Sequence, residues 1–304
     1  MTDDRALVTG DLSLNAPGVA LIFEGGGMRA SYTAAVVTTL LHAGINLGWV
    51  GGISAGASNT VNYVSRDAWR ARESFTDFAG DPNFGSWRTF VRGQGLFHSD
   101  YIYRRTSGPD EALPFAWDTF RRNPAQVAIT AFRCGDGEAV TWTKDDLPTL
   151  ADLMARVQAS STMPVVMPPV EIDGAFYVDG ALGPSGGIAL DAARAAGFSR
   201  FFVVLTQERG YRKAAVGNPW FYRRYFRRFP AAADALLTRH LRYNATREEL
   251  FELERQGSAY LFVPETMPVS NGERNVARLT QSYALGLDQA RRELPAWREF
   301  LGLG

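Results

Sequence analysis

Apolar positions along the first half of the chain alternate between two rhythms. Gly18 to Phe23 (GVALIF) is a nearly continuous apolar run, the pattern of a strand buried on both faces. From Met28 to Ala43 the spacing changes: Ala30, Ala34, Val37, Leu40 and Leu41 recur at helical intervals, and Gly44 follows as a C-terminal stop. Glu24-Gly25-Gly26-Gly27 joins the two. The unit then repeats, with Leu47 to Ile53 apolar and Ala55 to Val64 at helical spacing. Recurrence of strand, turn and helix predicts an α/β fold with a parallel sheet.

Between Ser65 and Pro124 no period is sustained, which predicts short helices and loops. Ala125 to Phe132 and Glu138 to Thr143 read as strands around a Cys134-Gly135-Asp136-Gly137 turn. Leu150 to Ser160 has helical spacing and leads into the proline-rich Met163 to Pro169. Val170 to Val178 predicts a hairpin about Asp173-Gly174, and Phe201 to Thr206 a buried strand. Beyond Pro219 the pattern is helical, apart from a strand at Tyr260 to Val263. With no internal repeat and no low-complexity linker, the expected organisation is a polar flexible tail over 1–17, an α/β domain over 18–210, and a helical extension over 211–304 packed on that domain.

With 304 residues, 46% of them hydrophobic, the chain is long enough for a closed core. Its 32 basic and 32 acidic residues balance, so no global field draws it to nucleic acid, and nucleic-acid partners are not expected. The basic residues are nearly all arginine; Lys144 and Lys213 are the only lysines. A single cysteine, Cys134, has no internal disulfide partner and suits a reducing compartment. The first 17 residues lack a basic region followed by an apolar one, and no run of ~18 apolar residues occurs, so a cytoplasmic, non-spanning protein is expected.

Gly52-Ile53-Ser54-Ala55-Gly56 is a G-x-S-x-G sequence at a predicted strand-to-helix junction. Flanking glycines allow a sharp turn that exposes the serine hydroxyl beside the positive end of the next helix. A glycine-bounded loop is the plain alternative, and the junction favours the nucleophile. The glycines at 25, 26 and 27 also stand between strand and helix, where backbone N–H groups can approach a ligand closely. They suit either a phosphate or the oxyanion of acyl transfer. No Gly-Lys-Ser/Thr follows and Arg29 is the only nearby cation, so the oxyanion reading is the stronger one.

A serine nucleophile needs a base. His42 ends a helix, His98 lies in an irregular aromatic stretch and His240 sits in the helical C-terminal part; a triad built on His240 is the conventional alternative. Asp179, in Tyr177-Val178-Asp179-Gly180-Ala181, stands where a strand runs into a glycine turn. An aspartate titrating near ~3.9 is a poor base for an alcohol, so this role demands an apolar pocket that raises its pKa. Met163, Val165, Val166 and Met167 are the candidate wall.

Together these elements resemble the patatin-like phospholipase family, whose signature is G-G-G-x-R/K-G, then G-x-S-x-G, then D-G-G/A. Here they stand as Gly25-Gly26-Gly27-Met28-Arg29-Ala30, Gly52-Ile53-Ser54-Ala55-Gly56 and Asp179-Gly180-Ala181. The likeness runs from about Val19 to the C-terminus, includes Ala159-Ser160-Ser161-Thr162-Met163-Pro164, and is closest to a bacterial subgroup. The resemblance implies a three-layer α/β/α sandwich with a mostly parallel central sheet and a helical C-terminal part. It also implies hydrolysis of lipid acyl esters without metal or cofactor, with Ser54 as nucleophile, Asp179 as proton acceptor and the Gly25, Gly26 and Gly27 amides as oxyanion donors. Arg29, Gly52, Gly56, Gly180 and Ala181 support the motifs. Two departures stand out: Ala30 replaces a glycine, and His98 in Gly95-Leu96-Phe97-His98-Ser99-Asp100 replaces an expected acidic or amide residue. A catalytically silent lipid-binding or scaffold protein of the same fold is the alternative of another class.

Trp220 to Phe229 (WFYRRYFRRF) divides on a helical wheel into Phe221, Tyr222, Tyr225, Phe226 and Phe229 against Arg223, Arg224, Arg227 and Arg228. This pattern predicts an interfacial helix and peripheral membrane contact; the plainer reading packs the aromatic face on the domain.

Overall fold

The computed structural model describes residues 12–304 except Gln94, so positions 1–11 of the predicted tail lie outside the described residues. The elements run in the order β1 (Ala16–Phe23), α1 (Ala30–His42), β2 (Leu47–Gly52), α2 (Ala55–Val64), α3 (Ala68–Glu73), α4 (Trp87–Val91), α5 (Ser99–Arg104), α6 (Trp117–Arg122), β3 (Gln126–Arg133), β4 (Ala139–Trp142), α7 (Leu150–Ser160), β5 (Val170–Ile172), β6 (Ala175–Asp179), α8 (Leu190–Ala195), β7 (Phe201–Val204), α9 (Pro219–Tyr225), α10 (Pro230–Arg255), β8 (Ala259–Phe262) and α11 (Val276–Leu301). β1 starts two residues before the expected strand start at Gly18, because Asn15 and Ala16 both donate their N–H groups to the Asn46 carbonyl.

The strands form one sheet in the order β5-β6-β3-β2-β1-β7-β8, with β4 paired to β3 off this path. Its centre is parallel, since β3-β2-β1-β7-β8 all run one way, and β4, β5 and β6 add antiparallel pairs at one side. The period of two explains the unbroken apolar run of β1. Val19, Leu21 and Phe23 face the layer formed by α1, α2, α7 and α11, while Ala20 and Ile22 face α8 and α10. Helices on both faces make the expected three layers.

The C-terminal part is mostly helical and contains one strand. Its β8 extends the sheet edge in parallel with β7, α10 lies on one face, and α11 lies along α1 on the other. Residues 211–304 are thus woven into the core. Residues 264–275, expected to continue the helical pattern, are instead irregular, and Asn271 within them meets the glycine strip.

Register fixes where the functional segments emerge. Phe23 pairs with both Gly52 and Val204, so the chain leaves β1, β2 and β7 at one level. Gly52 pairs with Ile129 of β3, and two residues further Ala131 faces Asp179 of antiparallel β6. Ser54, two residues past Gly52, therefore reaches the level of Asp179 across β3.

Candidate active site

Ser54 caps α2 with φ 59° and ψ −130°, a backbone conformation that L-residues avoid and that surrounding contacts must enforce. The enforcement is steric. A Cβ on Gly52 would meet the Gly56 carbonyl oxygen at 2.2 Å, and one on Gly56 would meet the Phe23 carbonyl oxygen at 2.2 Å. The turn closes only because both side chains are missing.

The segment after α7 ties nucleophile and carboxylate together. The Ser54 N–H donates to Ser160 Oγ at 3.0 Å, and Ser160 Oγ donates to the Thr130 carbonyl at 2.7 Å. Two residues on, the Thr162 carbonyl accepts the Asp179 N–H at 2.8 Å. This gives Ala159-Ser160-Ser161-Thr162 a physical role: it sets the spacing between the two strands' ends. Gly180 is required because a Cβ there would stand 2.2 Å from the Thr130 carbonyl oxygen.

Asp179 is buried, its carboxylate accepts the Ala181 N–H at 2.9 Å, and the Ser54 hydroxyl lies near enough to influence its titration. Burial pushes its pKa above the ordinary aspartate value; the Arg239 charge, the Ser54 hydroxyl and the Ala181 amide pull part of the way back. Among the described residues, no histidine lines the cavity around Ser54. His240 points its Nδ1 at the Leu237 carbonyl of its own helix, 3.1 Å away, and His42 is exposed at the end of α1. His98 occupies the N-cap of α5, where an aspartate or asparagine would accept a backbone N–H; it makes no such bond and stacks on Tyr101 instead.

The glycine strip lies against the serine turn: a Cβ on Gly25 would stand 2.9 Å from Ser54 Cβ. Of the three expected donors, Gly25 is already engaged, because its N–H donates to the Gly187 carbonyl at 3.0 Å. Met28 likewise donates to the Asn271 carbonyl, while the Gly26 and Gly27 amides have no backbone acceptor among the described residues. Asn271 also fixes Gly27, at φ 56°, by placing its carbonyl oxygen 2.4 Å from where a Cβ would be. Arg29 lies apart, in a surface cleft with Gln207, Glu208, Tyr211 and Ser270, and its buried Nε finds no acceptor among the described residues.

A largely apolar cavity opens from Ser54 between α2, α3, α5 and α7, walled by Phe75, Phe78, Phe84, Phe97, Leu113, Val157, Met163 and Met167. Met163 and Met167 line it. Val165 does not: the proline-rich loop turns there, at φ 74°, and packs it with Phe132 and Phe226 away from the cavity. Tyr103 and Arg70, which the loosely patterned stretch gave no reason to single out, also line it. The Arg70 guanidinium is held by Leu113, Asn62 and Ser107, and burial lowers its pKa to about 10. The Tyr103 phenol is pushed up by burial and by the nearby Asp179 charge. Cys134 is buried beneath Phe226, its thiol pushed up to about 12 by burial, a packing residue.

The expected interfacial helix is broken. α9 stops at Tyr225, and Phe226 turns inward onto Phe132, Cys134, Val178 and Leu182 at 3% exposure. Trp220 (73% exposed), Phe221 and Tyr225 remain outside. Among the described residues, no helix is long and apolar enough to cross a membrane.

A family model described as "Patatin-like phospholipase" matches residues 21–193, and a second, described as "Domain of unknown function (DUF6363)", matches residues 229–302. YjjU of Escherichia coli strain K12 is 28% identical over 200 residues, covering 62% of this chain and 52% of that protein, so the chain spans about half the length of this relative. The crystal structure of VipD from Legionella pneumophila overlaps 92% of this chain and 67% of that one at 12% identity and a TM-score of 0.49. Because the first family model spans more than half of a sequence whose three motifs the sheet brings to one place, the chain belongs to the patatin-like phospholipase family.

Proposed function

We propose that the chain is a lipid acyl-ester hydrolase working through a Ser54–Asp179 dyad. In this reading the Ser54 hydroxyl gives its proton to Asp179 as its oxygen attacks the ester carbonyl. The tetrahedral oxyanion is received by the Gly26 and Gly27 amides, each such donor being worth ~2.7–4 kcal/mol of barrier. Asp179 then returns the proton to the leaving alkoxide, and water, activated by the same carboxylate, releases the acyl group from Ser54. An alcohol in place of water would give acyl transfer through the same covalent intermediate. The aromatic cavity accommodates the acyl chain by apolar burial.

One observation carries this reading: a strained, buried serine stands beside a buried carboxylate whose pKa is raised, with the serine lining an apolar cavity. Labelling with a fluorophosphonate probe tests it. Wild-type protein labels and Ser54→Ala does not; labelling that survives the substitution rejects Ser54 as the nucleophile.

Access to lipid is proposed to be peripheral, through the outward aromatics Trp220, Phe221 and Tyr225 flanked by exposed Arg223, Arg224 and Arg227. A cytoplasmic setting agrees with the single buried cysteine.

A further inference from the structure

Helix α10 shows almost no apolar stripe along its length, yet it covers one face of the sheet. Its inward residues, Arg239, Arg242, Tyr243 and Arg247, follow one another at short intervals and share a face. The Arg239 Nε donates to the Gly186 carbonyl at 3.0 Å. Arg242 donates from Nε to the Gly183 carbonyl and from Nη2 to the Leu182 carbonyl, each at 3.0 Å. The helix backbone comes so close that a Cβ on Gly186, at φ 68°, would stand 2.6 Å from the Tyr243 Cα.

Residues 182–187 are the loop directly after Asp179-Gly180-Ala181, and the loop ends at Gly187, whose carbonyl holds the Gly25 N–H. Tyr243, from the same helix face, donates to Glu24 Oε1 at 2.6 Å, and Glu24 accepts the Thr206 N–H on its other oxygen. One helix face thus grips the carboxylate's loop and the root of the glycine strip. Neither Arg239 nor Arg242 has a carboxylate within ion-pair distance among the described residues; Arg239 donates to the Gly186 carbonyl, and Arg242 to the Leu182, Gly183 and Ala235 carbonyls and the Thr238 hydroxyl. A guanidinium offers this fork of donors where an ammonium would not.

We propose that Arg239 and Arg242, in the C-terminal region matched by the model of a domain of unknown function, are positioning residues of the active site, locking the 182–187 loop so that Asp179 and the glycine strip hold their geometry. This rests on the Ser54–Asp179 reading. Arg239 has a second effect through its charge. The ionisable groups facing Asp179 are Arg239 from α10 and Tyr103 from α5, and Arg239 in turn faces Lys213 and Arg242. Removing the Arg239 charge leaves Asp179 easier to protonate.

Kinetics on a soluble p-nitrophenyl ester, with circular dichroism and thermal melting as the fold control, test the role. Arg239→Gln is expected to lower kcat about tenfold or more with KM within about twofold, and to move the acid limb of the pH profile to higher pH. Arg242→Gln is expected to lower kcat without moving that limb. Arg239→Lys keeps the charge but loses the fork, so the limb stays in place while kcat falls. If Arg239→Gln does not fold, Arg239→Lys decides, and a wild-type kcat there overturns the proposal. Folded Gln variants with kcat within about twofold and an unmoved acid limb also overturn it. Loss of fluorophosphonate labelling in Ser54→Ala together with such kinetics rejects the positioning role alone; labelling that persists in Ser54→Ala rejects the dyad and this role with it.

Discussion

Asp179 carries a conflict between folding and chemistry that a single substitution exposes. Its folded-state pKa lies above the unfolded one because burial disfavours the charged form. The native state therefore binds the proton more tightly than the unfolded chain does, and stability falls as pH rises through the folded pKa. An asparagine side chain at this position would keep the acceptor for the Ala181 N–H and lose the buried charge. Asp179→Asn is expected to melt higher than wild type at about pH 8, with the gap closing near pH 4, while labelling and esterase activity are lost. Melting curves at the two pH values check this; a variant less stable than wild type at the higher pH would contradict the account of Asp179. Glycine positions carry the same kind of constraint sterically. Gly56→Ala sets a methyl 2.2 Å from the Phe23 carbonyl oxygen, a rigid backbone atom, and is expected to cost about 3 kcal/mol or more by urea denaturation.

At the scale of elements, the segment from 219 to 229 shows how tertiary contacts override a helical wheel. The alternation of aromatic and arginine positions fits one continuous helix, but the bend after Tyr225 buries Phe226 and leaves Trp220 exposed. Phe226→Asp is therefore expected to destabilise the fold by roughly 3–5 kcal/mol or more, from lost packing and a buried charge, and is no probe of membrane contact. Trp220→Asp is the informative change: melting is expected to stay within about 1 °C of wild type, as for an exposed position, while co-sedimentation with anionic liposomes falls. Undiminished co-sedimentation would remove α9 from the docking surface.

Across the whole molecule, the C-terminal third extends the edge of the sheet and packs on both of its faces. α10 grips the loops on one face, and α11 packs along α1 on the other, where α1 continues from the glycine strip. The two helices come close at Gly286, where a Cβ would stand 2.2 Å from the Tyr32 carbonyl oxygen. Gly286→Val is expected to lower stability by about 3 kcal/mol or more and to reduce fluorophosphonate labelling, although position 286 is far from Ser54 in sequence. Normal labelling in a destabilised Gly286→Val protein would show that α11 supports the fold alone.

The local elements and the motif triplet were legible in the sequence because short-range physics governs them. Period-two and period-3.6 apolar patterns located β1, α1, β2, α2, α7, the β5–β6 hairpin and β8 to within a few residues, and glycine spacing located the strained turn at Ser54. Contacts between distant segments were not legible. Nothing local marks Asn271 as the partner of Gly27, shows that Gly187 consumes the Gly25 amide, turns Val165 from the cavity, or sends Arg239 and Arg242 inward rather than to solvent. Those outcomes depend on which polar group meets which carbonyl once the sheet has closed. The linear pattern records only how apolar each residue is; the fold decides which neighbours it has.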